Sequence, residues 1–126
     1  MASVVVDTSV WVEFFAGRRP KELVEALENG VVWLPAIVVS ELISGAGTAE
    51  QREEIGELLQ EVAVIETNLE HWIHVGDLRR TLRARGVTVS VPDAHVAQCA
   101  IERNAVLLTR DRVFTRIANH TWLRLG

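Results

Sequence analysis

The chain has 126 residues, 48% of them hydrophobic, which suits one domain over residues 1–126 with a genuine core. A formal charge of −4 argues against nucleic-acid binding by bulk charge, and the lone cysteine, Cys99, excludes an internal disulfide and a thiolate-rich zinc site. No run approaches the ~20 apolar residues of a membrane span and no signal core opens the chain, which predicts a cytoplasmic protein.

Val4-Val5-Val6 is short, apolar and β-branched, and reads as a strand buried on both faces. TSVWVEFFAG predicts a short helix stopped by Gly17, and KELVEALENG a second helix after Pro20, running to Gly30. VVWL is a strand. Pro35 opens AIVVSELISGAG, read as a helix although its β-branched middle would also suit a strand. TAEQREEIGELLQEV has the spacing of a surface helix, and AVIE is a strand. Asn68 caps a long helix, LEHWIHVGDLRRTLRARG, closed by Gly86. Pro92 opens the helix DAHVAQCAIERN, AVLLT is a buried strand, DRVFTRIANH a helix and TWLRL a final edge strand.

Strands alternating with helices, several strands wholly apolar, predict an α/β fold: a parallel sheet of about four to five strands with helices on both faces. Right-handed crossovers place all strand exits at one edge, where such sheets bind ligands. Asp7 directly follows the first strand and Asp111 lies just past AVLLT, so both fall at that edge. Asp93, in the first turn after Pro92, joins them if its helix packs beside the strand it feeds. Glu41 sits inside an otherwise apolar helix, between Val39 and Leu42.

Taken singly, Asp7 and Asp111 read equally as helix caps, and Asp93 as complement to a helix dipole. Taken together, carboxylates about 5 Å apart repel by about 3 kcal/mol per pair at an effective dielectric near 20. Such a cluster takes up protons or a cation, and oxygen-only ligands suit Mg²⁺ or Mn²⁺. These ions activate water and neutralise a phosphoryl group under attack, which is chemistry for cutting a phosphodiester.

The stretches DTSVW, SELISG, PDAHVAQCA and LLTRDRVF, in that order and spacing, resemble the PIN-domain nucleases, and most of all the VapC toxins of bacterial toxin–antitoxin pairs. The resemblance implies a single PIN-like domain and a metal-dependent endoribonuclease leaving 5′-phosphate and 3′-hydroxyl ends. It puts the Mg²⁺- or Mn²⁺-binding catalytic acids on Asp7, Glu41, Asp93 and Asp111. It maps a supporting hydroxyl to Thr8 or Ser9, and a small polar residue to Thr109. Many relatives carry a further acid two places beyond the fourth, where this chain has Val113, so a second ion would find fewer ligands. The partners implied are RNA, a VapB-like antitoxin and a second copy of the chain.

Of the thirteen lysines and arginines, Lys21 is the sole lysine. Arg112 and Arg116, at helical spacing beside Asp111, are candidates to grip an RNA backbone; Arg79, Arg80, Arg83 and Arg85 read as solvated surface. Asp77 is placed to pair with Arg80. His71 and His74 share a helix but lack a third ligand in register, and Cys99, among alanines, reads as core. Trp11, Phe14, Phe15 and Trp72 exceed what so small a core needs, which suggests an association surface.

Two other readings remain. A phosphatase or phospho-acceptor domain also begins with an aspartate after a buried strand. The dehalogenase type, however, needs a second aspartate where Ser9 stands, and a receiver needs a late lysine that the chain lacks. A non-catalytic PIN-like binding module would not require all four acids.

Overall fold

Val4–Val6 form β1, the middle strand of a five-stranded, wholly parallel sheet in a computed structural model that describes residues 2–126. Successive side chains on a strand point to opposite faces, and all three valines are buried, so both sides of the sheet are covered. The chain continues through α1 (Thr8–Phe15) and α2 (Lys21–Glu28) into β2 (Val32–Pro35), then α3 (Ala36–Gly45), α4 (Ala49–Leu59) and β3 (Ala63–Ile65). After α5 (Leu69–Ala84) and α6 (Val91–Glu102) it returns as β4 (Val106–Leu108), α7 (Val113–Ala118) and β5 (Arg124–Leu125). The strand order is β3-β2-β1-β4-β5.

That order places the switch in winding direction beside β1. The chain steps outward through β2 to β3, then crosses back to lay β4 on the other side of β1. A crevice opens outside the carboxyl ends of strands at such a point. Val6 pairs with Leu108, and the Asp7 N–H donates to the Leu108 carbonyl at 2.9 Å, so the exits of β1 and β4 are adjacent.

The β-branched segment after Pro35 is a helix and not a strand. Val38 and Leu42, one turn apart, bury on one side of α3, which packs on α1 and β2. Helical spacing of the buried pair outweighs the local β-propensity. Asn68 caps α5 by accepting from the His71 N–H at 3.1 Å. Gly86, at φ +80°, ends it in a conformation that glycine adopts freely. Two helix starts differ from expectation. α6 begins at Val91 rather than Pro92, because Ser90 caps it, and α7 begins at Val113 rather than at Asp111.

Trp11 is fully buried, with Phe14 and Phe15 packed partly buried against it. Val113, at the place of the missing fifth acid, is itself core. Trp72 is partly exposed and Trp122 is 90% exposed, so the surplus of large rings falls on the surface.

Candidate active site

The Asp7 side chain is buried although it follows three core valines. It occupies the N-cap position of α1 yet makes no capping bond. Its Oδ2 instead accepts from two hydroxyls, Ser9 Oγ and Thr109 Oγ1, each at 2.9 Å. Backbone amides fix the direction of both bonds. Arg110 N–H donates to Ser9 Oγ at 3.0 Å and Asp111 N–H donates to Thr109 Oγ1 at 3.0 Å. Each hydroxyl thus accepts a hydrogen bond from the β4 exit and donates one to Asp7. Among the described residues no hydrogen bond reaches Oδ1, so that oxygen keeps its lone pairs.

Glu41 comes in from α3. It is exposed, and its Oε1 accepts from Thr8 Oγ1 at 2.9 Å, which ties α3 to the start of α1. Asp93 stands in the first turn of α6, where its N–H donates to Ser90 Oγ at 3.2 Å. Asp111, exposed beyond β4, turns Oδ1 toward the Val113 N–H at 3.0 Å. Arg112, not Asp111, occupies the N-cap position of α7.

The charges of Asp111, Asp7 and Glu41 are all felt at Asp93. The Asp93 carboxyl is held above its ordinary 3.8, first by burial and then by the negative charges of Asp111, Asp7 and Glu41, against the opposing Ser90 hydrogen bond. Among the described residues none of the four acids forms an ion pair with a basic side chain. Arg110, next to Asp111 in sequence, is committed to Glu13, with Nε 3.1 and 3.2 Å from its two oxygens. The residues present therefore fit a hard divalent cation: an all-oxygen donor set, crowded negative charge and no resident counter-ion.

A model of the PIN domain matches residues 4–120. This chain belongs to the PIN-domain family. Over 124 residues the domain is 26% identical to Ribonuclease VapC2 of Haemophilus influenzae, covering 93% of each chain. Over 127 residues it is 29% identical to Ribonuclease VapC1 from another strain of that species, covering 94% of each. Its fold superposes on a solved structure of VapBC-1 from nontypeable Haemophilus influenzae with a TM-score of 0.77 and 26% identity, covering 98% of this chain and 96% of that one. This PIN domain is thus homologous over nearly its whole length to VapC ribonucleases.

Of the expected polar supports, Thr8, Ser9 and Thr109 all take part: Thr8 holds Glu41, while Ser9 and Thr109 hold Asp7. Arg112 and Arg116 are exposed and, with Thr115, line a shallow hollow on α7 and its start. Arg79, expected as solvated surface, is instead half-buried and donates to the Val89 carbonyl at 2.8 Å, whereas Asp77 lies 3.9 Å from Arg80 on the surface. Ser90 is the supporting residue that sequence reasoning passed over. Its signal was a serine three places before Asp93, the spacing of a capping box.

Proposed function

We propose that this chain is a metal-dependent endoribonuclease, the toxin of a VapBC-type pair. The observation that carries the reading is the Asp93 carboxyl, raised by burial and by the charges of Asp111, Asp7 and Glu41, none of the four being ion-paired among the described residues. Asp7 and Asp93, with Glu41 and Asp111 beside them, would hold Mg²⁺ or Mn²⁺. When bound, the cation supplies a water of lowered pKa and positive charge for the phosphoryl group under attack. The protein's own contribution is orientation. Ser9 and Thr109 hold Asp7 by Oδ2 and leave Oδ1 without a hydrogen bond among the described residues, and Thr8 steadies Glu41. Arg112 and Arg116 offer phosphate-gripping forks beside Asp111.

A groove that reaches Thr8 and Glu41 supports an antitoxin partner. It runs between α1, α3 and α4, floored by Val12, Phe15, Leu42 and Ile55. An amphipathic antitoxin tail would bury its apolar side there and end over the acids. Exposed Leu69, Trp72 and Ile73 on α5 offer an apolar surface for a second copy of the chain.

Cleavage of tRNA and rRNA panels with Mg²⁺ or Mn²⁺ tests the reading. Activity in wild type, abolished by EDTA and by Asp7→Asn, is expected. Folded wild type that is inert with both ions, or an Asp7→Asn protein as active as wild type, overturns it.

A further inference from the structure

Away from the strand exits, the seam between α5 and α6 carries polar groups through an otherwise apolar core. His95 and Cys99 stand one turn apart on α6 and share a face; His71 faces them from α5. All three are buried. His71 Nε2 lies 2.8 Å from His95 Nδ1, and Cys99 Sγ lies 3.8 Å from His95 Nε2 and 3.9 Å from Nδ1. One ligand atom from each residue falls within 4.8 Å of the others. Tetrahedral sites with metal–nitrogen bonds of about 2.0–2.1 Å and metal–sulfur bonds of about 2.3 Å separate their donors by about 3.3–3.6 Å. Small side-chain adjustments, replacing the His71–His95 hydrogen bond, would surround an ion.

Two further features favour coordination over a hydrogen-bonded strip in the core. His71 Nδ1 lies 2.9 Å from Glu102 Oε2, so the ring donates its Nδ1–H to a carboxylate that can only accept and turns the Nε2 lone pair inward. A carboxylate behind an imidazole is the usual outer support of a metal-bound histidine. Trp72 stacks on His95 at 4.7 Å with the planes 11° apart, which fixes the second ring.

We propose that His71, His95 and Cys99 form a second metal site, separate from the carboxylate cluster, for a borderline-soft dication of the Zn²⁺ class. The nitrogen and sulfur donors select against Mg²⁺ and Mn²⁺ as strongly as the four acids favour them. Binding exchanges the thiol proton for the metal: Cys–SH and M²⁺ give the metal thiolate and one released proton. A groove lined by Asn68, Glu70, His71, His74 and Glu102 reaches the His71 edge of this cluster from solvent. The site joins α5 to the helix whose first turn carries Asp93.

Cobalt titration of the full-length, reduced, chelator-stripped protein tests the site, with Mg²⁺ saturating the acids. A single equivalent of Co²⁺ should give intense tetrahedral visible bands and a thiolate-to-cobalt charge-transfer band. Cys99→Ser should abolish the charge-transfer band, and Asp7→Asn should leave it intact. Glu102→Gln, an exposed change that spares folding, should keep the band and weaken binding about 10- to 100-fold. Folded wild type without the band overturns the proposal. So does a band that survives Cys99→Ser, or cobalt binding lost in Asp7→Asn alone.

Discussion

Thr109 donates a hydroxyl hydrogen bond to Asp7 Oδ2 at 2.9 Å across a separation of 102 residues, and accepts one from the Asp111 N–H at 3.0 Å. One side chain at the exit of β4 therefore orients the acid at the exit of β1 and fixes the backbone of the acid two places on. Thr109→Val keeps the shape and removes both bonds. A hydrogen bond to a charged group contributes about 1.5–3 kcal/mol, and outer partners of metal ligands typically change affinity about 10- to 100-fold. Mn²⁺ affinity by calorimetry and RNA cleavage should both fall by that factor, and Thr109→Ser should recover most of it. Equal calorimetric affinity in Thr109→Val and wild type would show that Asp7 needs no orientation.

Ser90 acts one step further back. Its Oγ accepts from the Asp93 N–H at 3.2 Å and so starts α6. Loss of a serine cap costs about 1 kcal/mol, or about 4 °C in a domain of this size. Ser90→Ala should lower the unfolding temperature by that amount and, by loosening the first turn, weaken Mn²⁺ binding as well. Ser90→Asp, which restores a cap, should recover the stability. A stable Ser90→Ala protein would mean that Pro92 alone holds the turn.

Asp7 and Asp111 are legible in the sequence because topology places them: β1 and β4 are apolar runs, and the residues just past a parallel strand must fall at the binding edge. The α6 start is less so, since the proline at its second position obscures the serine that caps it. The histidine cluster is hidden for a different reason. His71 and His74 lie on one side of a helix and both reach Glu102, but His74, one turn on, stays exposed while His71 is buried. Its neighbours there, His95 and Cys99, lie on another helix and become visible only when α5 docks on α6. Local periodicity carries no information about that pairing. Glu13 is a similar case. Nothing near it in sequence marks it as the partner of Arg110, 97 residues away, which commits one of the two arginines flanking Asp111.

Arg112 and Arg116 offer a test that separates substrate grip from catalysis. Both are exposed and line one hollow beside Asp111. Each phosphate contact on single-stranded RNA contributes about 0.7 to the slope of log affinity against log salt. Arg112→Ala and Arg116→Ala should each weaken binding of an uncleavable RNA and reduce that slope by about 0.7, with Mn²⁺ affinity unchanged. An unaltered salt slope would assign both arginines to ordinary surface.

Asp93 makes the charge crowding measurable without any substrate. Its folded-state pKa lies above the ordinary 3.8, owing first to burial and then to Asp111, Asp7 and Glu41. Below 3.8 the group is protonated in both folded and unfolded chains and contributes nothing to stability. Between 3.8 and the raised value the folded chain keeps a proton that the unfolded chain has shed, so stability falls as pH rises through that window. Above it the full cost of the ionised carboxylate is present. Asp93→Asn lacks that cost. In EDTA the variant should therefore unfold at a higher temperature than wild type at neutral pH, with the gap closing as pH falls toward 3.8. Adding Mn²⁺ should reverse the order, because a cation that binds only the folded wild-type site stabilises it by mass action while the variant gains little. A variant less stable than wild type in EDTA at neutral pH would mean that the four carboxylates do not strain the metal-free fold.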